Sequence, residues 1–399
     1  MSGDRFTVLY RIFAGDTAEA RARAEGIALE QTVEIPRDVV PAGYVEDEIL
    51  GRVESVVQEG EGRFLVRISY SPDSAGEELA QFLNVVFGNS SIQKGIKVIG
   101  LEPGLVMTGR FPGARFGIAG LRQLSGRARG GFVCPVIKPQ GSSIEHLAHI
   151  SYETALAGAD IIKEDHGLAN QPSAPFRERI PQLVEAVAKA NAARQAAGET
   201  ARALYFPTIA GHADRFFDEA WFAREQGADG VMLMPGLYGF DAVQRLARRP
   251  GFGLPIMVHP SFLGAWVLNE NAGFTHAMMF GTLSRLAGAD ISVFPNVGGR
   301  FGFSADECRS IAETCTSTSG PGRAILPSPG GGMTPERMPE MIGMYGEDSV
   351  YLLGGSILRA GAAMGDTIRQ LRDIMGSEQG LFKSCAKVER TVNPRREPA

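Results

Sequence analysis

Four charged or titratable side chains, Lys163, Glu164, Asp165 and His166, end the stretch ADIIKEDHG at residues 159–167. The apolar residues before them predict a buried strand, whose alternation would put Lys163 and Asp165 on one face and Glu164 and His166 on the other. Two interpretations fit. One is an ion-paired cluster that tunes local charge. The other is a divalent-metal site in which Asp165 is an oxygen ligand and the lysine is modified or acts as a base.

Such side chains need a scaffold that brings several strand ends together. From about residue 131 the sequence alternates strands with helical stretches, and eight strand–helix units predict a (β/α)8 TIM barrel. An open doubly wound sheet is the alternative, but no GxGxxG follows the first strand. The predicted strands are 132–138, 159–165, 203–210, 229–235, 254–260, 290–296, 324–330 and 349–355. In such barrels the active site lies at the carboxyl ends of the strands, where Lys138, Thr208, His259 and Asn296 also fall.

Glycine runs follow the last two predicted strands, in PSPGGGMT (327–334) and LLGGS (352–356). Glycine also supplies positive φ in tight turns. Loops after strands seven and eight, however, are the usual phosphate-binding loops of such barrels, where backbone N–H groups face the anion. We therefore expect a phosphate site there.

The first 125 residues show a different pattern, which predicts a ferredoxin-like α+β domain (1–125). It precedes the barrel domain, assigned to 126–399 with a C-terminal helical tail. The predicted order is strand 5–14, helix 17–31, a hairpin of 47–58 and 62–70, helix 77–88 and strand 96–103.

Composition narrows the class of protein. The net charge is −5, and basic residues gather only in the tail at Arg390, Arg395 and Arg396, so we expect no nucleic-acid partner. The sequence has neither an apolar run of membrane length nor the pattern of a signal peptide, so we expect no membrane partner. The four cysteines lack CxxC spacing, which speaks against a zinc site or a disulfide framework and favours a cytoplasmic location.

Several motifs resemble those of the RuBisCO large-chain superfamily. GADIIKEDHGLANQPSAPFRER (158–179) is similar to its metal-binding strand-two motif, and VIKPQG (136–141) to its catalytic-lysine motif. The PSPGGG and LLGGS loops match its phosphate loops. Two stretches together resemble the RuBisCO-like (form IV) group, in its branch from non-photosynthetic bacteria. They are KEDHGLANQP (163–172) and VEIPRDVVPAGYVEDEILGRVE (33–54).

The resemblance implies a role for each strand-two residue. Lys163 aligns with a lysine that CO2 converts to a carbamate, Asp165 with a metal-binding acid, and His166 takes the place of a second acid. The implied metal is Mg²⁺, or Mn²⁺ because of the imidazole. Lys138 aligns with the lysine that moves a proton at the enolic carbon, and His259 remains from the strand-five motif. Lys138, Lys163 and His259 are thus the implied catalytic residues.

Further positions are implied to contact the substrate. Glu30 aligns with an acid that reaches into the neighbouring subunit's site, which implies a homodimer with a shared active site. Gln140 and Arg300 are further candidate substrate contacts. The implied phosphate-binding residues are Gly331, Gly332, Gly354 and Gly355.

The departures from the family pattern decide the expected reaction. Gln140 replaces a second catalytic lysine, and Ser261 and Phe262 replace a histidine–arginine pair. Val293 replaces a histidine and Gly330 a serine. The lost side chains hold the second phosphate of ribulose bisphosphate, which would otherwise stay unpaired, so we do not expect CO2 fixation.

The retained parts suit a metal-dependent lyase or isomerase that forms or protonates the enediolate of a sugar-derived monophosphate. The resemblance points to 3-oxo-isoapionate 4-phosphate, which would lose its carboxyl group by decarboxylation or by transcarboxylation and hydrolysis in sugar-acid catabolism. Two alternatives stay open. One is a methionine-salvage enzyme, either methylthioribulose 1-phosphate isomerase or 2,3-diketo-5-methylthiopentyl-1-phosphate enolase. The other is an inactive sugar-phosphate-binding protein.

Overall fold

The computed structural model of the protein describes residues 4–376, so the tail arginines Arg390, Arg395 and Arg396, Cys385 and the end of the predicted barrel domain lie outside the described residues. The strands are β1 (Phe6–Phe13), β2 (Arg52–Gly60), β3 (Arg63–Tyr70), β4 (Ile96–Glu102), β5 (Phe132–Ile137), β6 (Ile161–Glu164), β7 (Leu204–Phe206), β8 (Val231–Leu233), β9 (Ile256–Val258), β10 (Gly273–Phe274), β11 (Ile291–Pro295), β12 (Leu326–Gly330) and β13 (Val350–Leu353). The α-helices are α1 (Thr17–Glu30), α2 (Pro72–Ala75), α3 (Leu79–Phe87), α4 (Gly104–Arg110), α5 (Gly117–Ser125), α6 (Ile144–Leu156), α7 (Phe176–Ala196), α8 (Phe216–Glu225), α9 (Pro235–Tyr238), α10 (Phe240–Arg248), α11 (Gly264–Val267), α12 (Ser284–Ala287), α13 (Ala305–Thr316), α14 (Met338–Tyr345), α15 (Gly355–Ala360) and α16 (Met364–Gly376).

The N-terminal sheet has the strand order β4-β1-β3-β2, and these four strands pair antiparallel. Every second residue of β1 is buried, as expected of a strand with one face on a core. Helix α1 starts where Asp16 accepts a hydrogen bond from the Glu19 N–H at 2.8 Å. Helix α1 connects β1 to β2, and helices α2 and α3 connect β3 to β4, so the predicted ferredoxin-like domain is confirmed.

The sequence pattern missed one edge strand and misplaced one strand start. The two-residue strand β10 comes from the barrel half of the chain and pairs parallel with β4, and its Phe274 ring packs 5.2 Å from the ring of Phe87. A strand of two residues is too short to leave a periodic pattern. The predicted strand over 47–58 is wrong at its start, because a π-helical turn covers Val45–Ile49 and β2 begins at Arg52.

Each of the eight predicted barrel strands is present, in parallel and in the order β7-β6-β5-β13-β12-β11-β9-β8. A bridge between Thr208 and Met232 links the two end strands, so the sheet is nearly closed into a barrel. Alternate residues fill its interior, as in barrels of this type. The interior cluster comprises Phe132, Cys134, Ile161, Leu204, Phe206, Met232, Met257, Ile291, Val293, Leu326 and Val350, with Leu121 from α5. The predicted (β/α)8 barrel is confirmed.

A Gly-Ala-Asp sequence precedes three barrel strands, at 158–160, 227–229 and 288–290. Each glycine has a positive φ, which a residue with a Cβ rarely adopts. Each aspartate accepts a backbone N–H from the neighbouring strand. The pairs are Asp160 with Val133 (2.7 Å), Asp229 with Tyr205 (3.0 Å) and Asp290 with Ile256 (2.9 Å). The repeat therefore ties strands together at the face opposite the strand ends that carry the polar site.

Among the helices in residues 4–376, none combines the length and the apolar character needed to cross a bilayer.

We predict that Asp160→Asn lowers the free energy of unfolding by about 3 kcal/mol. The Asp160 side chain is fully buried and pairs with Arg127 at 3.0 Å and with Arg372, so its loss leaves two partly buried guanidinium groups without a counter-charge. Urea denaturation at pH 7 measures the change. The control is Asp306→Asn, which removes a carboxylate with 93% side-chain exposure from its pair with Arg309 and should cost well under 1 kcal/mol. Equal losses in both variants would contradict this role of Asp160.

Candidate active site

Strand β6 places Lys163 inside the barrel. Ile161 belongs to the interior cluster and Ile162 to the core between strands and helices, so alternation turns Lys163 inward and Glu164 outward. Lys163 is 1% exposed, and its Nζ donates to the Glu164 carbonyl oxygen at 2.7 Å. A buried amine therefore forms part of the floor of the site at the carboxyl ends of the strands.

The Glu164 carboxylate, which the sequence analysis left without a role, holds this strand end in place. It accepts hydrogen bonds from Arg179 Nε at 2.7 Å, the Tyr205 hydroxyl at 2.7 Å and the Thr208 N–H at 3.0 Å. Thr208 also donates through Oγ1 to the Asp165 carbonyl oxygen at 3.0 Å. Both Glu164 and Arg179 are fully buried, so the pair is fixed by packing as well as by charge.

Asp165 lies between Lys138 and His166. Its Oδ2 is 3.6 Å from Lys138 Nζ, and its Oδ1 is 3.6 Å from His166 Nδ1. The alternation prediction was right for Lys163 and Glu164 but wrong for His166, which lies with Asp165. The reason is that β6 ends at Glu164, so strand alternation no longer applies two residues later.

Burial lowers the pKa of Lys163 to about 8, Asp165 acts to raise it, and Lys138 acts to lower it further. A lysine with this pKa carries a neutral amine in about one molecule in ten at pH 7. Burial alone would raise the pKa of Asp165, but the Gly167 N–H and the neighbouring cations outweigh it and hold that pKa below its usual range. The site thus combines an ionised carboxylate with a lysine that is less basic than usual.

His259 faces His166 across the site. The two imidazole rings stack with centroids 4.2 Å apart and an angle of 15°. His259 Nδ1 lies 2.8 Å from Ser261 Oγ and accepts a hydrogen bond from the Ser261 N–H at 3.3 Å. Burial lowers the pKa of both histidines, that of His259 strongly. Two neutral imidazoles therefore stack beside the lysine–carboxylate pair.

The loop after β12 is held by a buried amide. Asn296, at the end of β11, donates through Nδ2 to the Gly331 carbonyl oxygen at 3.1 Å and accepts from the Tyr345 hydroxyl at 2.5 Å. Gly331 and Gly332 have φ values of 104° and 67°, so this loop needs glycine for its backbone shape whatever it binds.

The loop after β13 comes close to Lys138. A Cβ atom at Gly354 would lie 3.2 Å from Lys138 Nζ, whereas one at Gly355 would meet open space. The buried hydroxyls of Ser356, in the first turn of α15, and Ser328, on β12, have no hydrogen-bond partner within residues 4–376. The sequence alone does not single out either serine, because a hydroxyl in an apolar strand or beside a glycine run gives no signal before its neighbours are known.

The remaining candidates lie nearer the rim or away from the barrel. Arg300 is exposed, its guanidinium lies over the Phe301 ring, and its charge acts on His166, which places it near the site. Gln140 is exposed, two residues beyond Lys138. Glu30 ends helix α1 in the N-terminal domain and accepts a hydrogen bond from Asn89 at 2.9 Å. Its contact with a neighbouring subunit stays a prediction.

The donor set fits a divalent cation on one condition. Within residues 4–376, no three His, Cys, Asp or Glu side chains group as a metal site, so a cation here needs Lys163 as its third ligand beside Asp165 and His166. An ammonium repels a cation, whereas a carbamate adds an anionic oxygen donor of the kind that Mg²⁺ and Mn²⁺ prefer. The neutral His166 is also able to coordinate. The residues therefore fit Mg²⁺ or Mn²⁺ once Lys163 carries a carbamate.

Known proteins share this architecture. Residues 117–393 match the family model of the ribulose bisphosphate carboxylase large chain, catalytic domain. The chain is 38% identical over 358 residues to ribulose bisphosphate carboxylase-like protein 1 of Rhodopseudomonas palustris, covering 90% of this chain and 94% of that one. It is 37% identical over 359 residues to 5-methylthioribulose-1-phosphate isomerase of Rhodospirillum rubrum, covering 90% and 92%. The crystal structure of a Rubisco-like protein from Rhodopseudomonas palustris matches with a TM-score of 0.81 at 34% identity, covering 94% and 99%.

We predict opposite pKa changes at Lys163 when two of its charged neighbours, Asp165 and Lys138, are removed one at a time. Asp165→Asn should lower the pKa of Lys163 below about 8, because the carboxylate favours the ammonium form, and Lys138→Met should raise it, because a like charge is lost. Competitive labelling with an amine reagent across pH, read by mass spectrometry of the Lys163 peptide, measures both. Shifts of the same sign in both variants would contradict this electrostatic account.

Proposed function

The chain belongs to the RuBisCO large-chain family, and we propose from that premise that it is a RuBisCO-like enzyme that forms or protonates the enediolate of a sugar-derived monophosphate. The observation that carries this proposal is the position of Lys138. Its Nζ lies 3.6 Å from Asp165, and it closely approaches Gly354. The same space is therefore bordered by the Lys138 amine, which we propose transfers the proton, by the candidate cation site at Asp165 and by the glycine loop at Gly354.

CO2 fixation on ribulose bisphosphate does not fit the residues present. The positions implied to hold a second phosphate are Ser261, Phe262, Val293 and Gly330. None of these four residues carries a positive charge. Phe262 is 73% exposed and Val293 is buried in the barrel interior, and both side chains are apolar. A second phosphate would lose its charge-assisted hydrogen bonds there. A substrate with one phosphate suits the site better.

Phosphate binding would use the loops after β12 and β13, with Gly331, Gly332, Gly354 and Gly355 presenting backbone N–H groups. The unpartnered Ser356 hydroxyl adds a donor beside them. The carbamate of Lys163, Asp165 and His166 would hold Mg²⁺ or Mn²⁺, which supplies positive charge to the oxyanion that develops on the substrate.

Lys138 would perform the proton transfer. When a β-keto acid loses its carboxyl group, the carbon–carbon bond breaks, CO2 leaves and the bonding electrons pass into the enediolate. The Lys138 ammonium then delivers a proton to the carbon that lost the carboxyl group. The stacked imidazoles of His166 and His259 add no positive charge to this space, because burial keeps them neutral.

The substrate we propose first is 3-oxo-isoapionate 4-phosphate, decarboxylated directly or through carboxyl transfer and hydrolysis. A second candidate is 5-methylthioribulose 1-phosphate, because a relative that is 37% identical over most of both chains is named as its isomerase. In that reaction Lys138 would remove a proton from one carbon and an acid would return a proton to another. The related enolase reaction of 2,3-diketo-5-methylthiopentyl 1-phosphate needs the same proton removal. We propose a homodimer for each case, with Glu30 entering the partner's site.

We predict turnover of one of these three substrates in the presence of Mg²⁺ or Mn²⁺ and bicarbonate, followed by NMR of substrate and product. Lys163→Ala should abolish it, and Lys138→Met should lower kcat by about 10²–10⁴-fold, the usual contribution of a positioned acid or base. The matched control is Lys189→Met on the barrel surface, which loses only an exposed pair with Glu185. Full activity of Lys163→Ala would disprove the metal-site assignment. Binding without turnover of any of these sugar phosphates would favour a binding protein.

We predict that Gly354→Ala lowers kcat/KM by about tenfold to a hundredfold, because its Cβ, 3.2 Å from Lys138 Nζ, would displace the amine from its position. Gly343→Ala is the control, since a Cβ there, in helix α14, meets nothing within 4 Å. Steady-state kinetics and the thermal midpoint should be measured for both. An unchanged kcat/KM in Gly354→Ala would exclude a close functional contact between this loop and Lys138.

A further inference from the structure

A groove with three arginines lies on the outer surface of the barrel, between helices α8 and α10 and away from the strand ends. Its cavity measures about 360 Å³, which is within the range of small-molecule sites. The residues that line it are Phe217, Gln244, Arg245, Arg248, Arg249 and Pro250. Among the described residues, this lining contains no carboxylate.

The three arginines have no carboxylate partner among the described residues. Within residues 4–376, none of Arg245, Arg248 and Arg249 has an acidic side chain within 4.0 Å, whereas Arg202 pairs with Asp229 at 2.6 Å. Arg245 and Arg249 lie over the Phe217 ring, with Cζ atoms 5.1 and 5.6 Å from its centroid. Their position at the C-terminal end of α10 offsets part of their mutual repulsion through the helix dipole. The rest of that positive charge is free to attract an anion.

The arginine cluster is anchored to the N-terminal domain. Arg248 donates through Nη1 to the Arg110 carbonyl oxygen at 2.8 Å, which fixes one wall of the groove. The adjoining cavity, of about 250 Å³, shares Phe217 and Arg249 but contains the carboxylates of Asp218 and Glu225. Positive charge is thus balanced on one side of Phe217 and left unbalanced on the other.

Gln244 supplies an independent observation. It lines the groove and is only 6% exposed, yet its Nε2 has no hydrogen-bond partner within the described residues 4–376. An unpaired buried amide costs about 1–3 kcal/mol. Because Gln244 lines the groove, an anionic oxygen bound there is able to accept the hydrogen bond that its Nε2 group lacks within these residues.

We propose that this groove binds a small phosphate-bearing anion at a second site, independent of the reaction at the strand ends. Guanidinium groups match phosphate oxygens in pairs, the buried Gln244 amide supplies an unpaired donor in the lining, and the Phe217 ring forms its apolar side. The proposal stands on this lining alone and does not depend on the proposed catalytic function.

The test titrates pyrophosphate into the full chain by isothermal titration calorimetry at low ionic strength. The double variant Arg245→Gln/Arg249→Gln should weaken pyrophosphate binding at the groove at least tenfold. Any pyrophosphate binding at the glycine loops should stay unchanged. Arg369→Gln is the control, because it removes an exposed helix arginine paired with Asp366. Equal binding by the wild type and the double variant would overturn the proposal. An equal loss in the Arg369→Gln control would overturn it as well, since it would show a general charge effect.

Gln244→Met separates a binding role from a packing role. It removes the amide at nearly constant volume, so it should weaken pyrophosphate binding several-fold while raising the melting temperature of the ligand-free protein, because the unpaired buried group is gone. Unchanged binding with a lowered melting temperature would show that Gln244 serves packing alone and would overturn its place in the site.

Discussion

The buried ion pair between Glu164 and Arg179 is the interaction on which the geometry of the candidate site depends. A buried pair contributes to a structure only when its geometry is good and its other oxygens are hydrogen-bonded. Here Tyr205 and the Thr208 N–H satisfy those oxygens. This pair holds Glu164 on the outer face of β6. Because successive side chains of a strand point to opposite faces, Lys163 must point into the barrel. The inward position of Lys163 is therefore set by a residue that faces away from the candidate site.

The groups that tie the barrel strands together and the polar groups of the candidate site lie at opposite ends of the barrel. Three aspartates of the Gly-Ala-Asp repeat bind backbone N–H groups where strands begin, and the polar cluster lies where strands end. The barrel interior between the two ends is filled by an apolar cluster that includes Phe132 and Val350. Charges at one end are thus insulated from those at the other by several layers of side chains. Substitutions among the strand-end loops are able to change chemistry without loosening the closure of the sheet.

Much of this fold could be predicted from the sequence, because buried parallel strands leave strong apolar runs and all eight were found. The strand-end location of Lys138, Lys163 and Asp165 followed from the same runs. Contacts that join distant positions could not be predicted. The stack of His166 on His259, the amide of Asn296 on Gly331 and the pairing of β10 with β4 each require the assembled barrel. Strand periodicity also fails beyond a strand's end, which is why His166 was misplaced.

The charges around Lys163 explain why one site is able to suit either an anion or a cation. With Lys163 as an ammonium, Lys138 and Lys163 outnumber the single carboxylate of Asp165, and the two imidazoles stay neutral because burial lowers their pKa values. That state attracts an anionic substrate and repels a metal ion. A carbamate on Lys163 would change its charge from positive to negative, and the site would then favour a divalent cation beside Lys138. A buried amine with a pKa near 8 is thus well placed to be a control point of this site, because its neutral form is accessible near neutral pH.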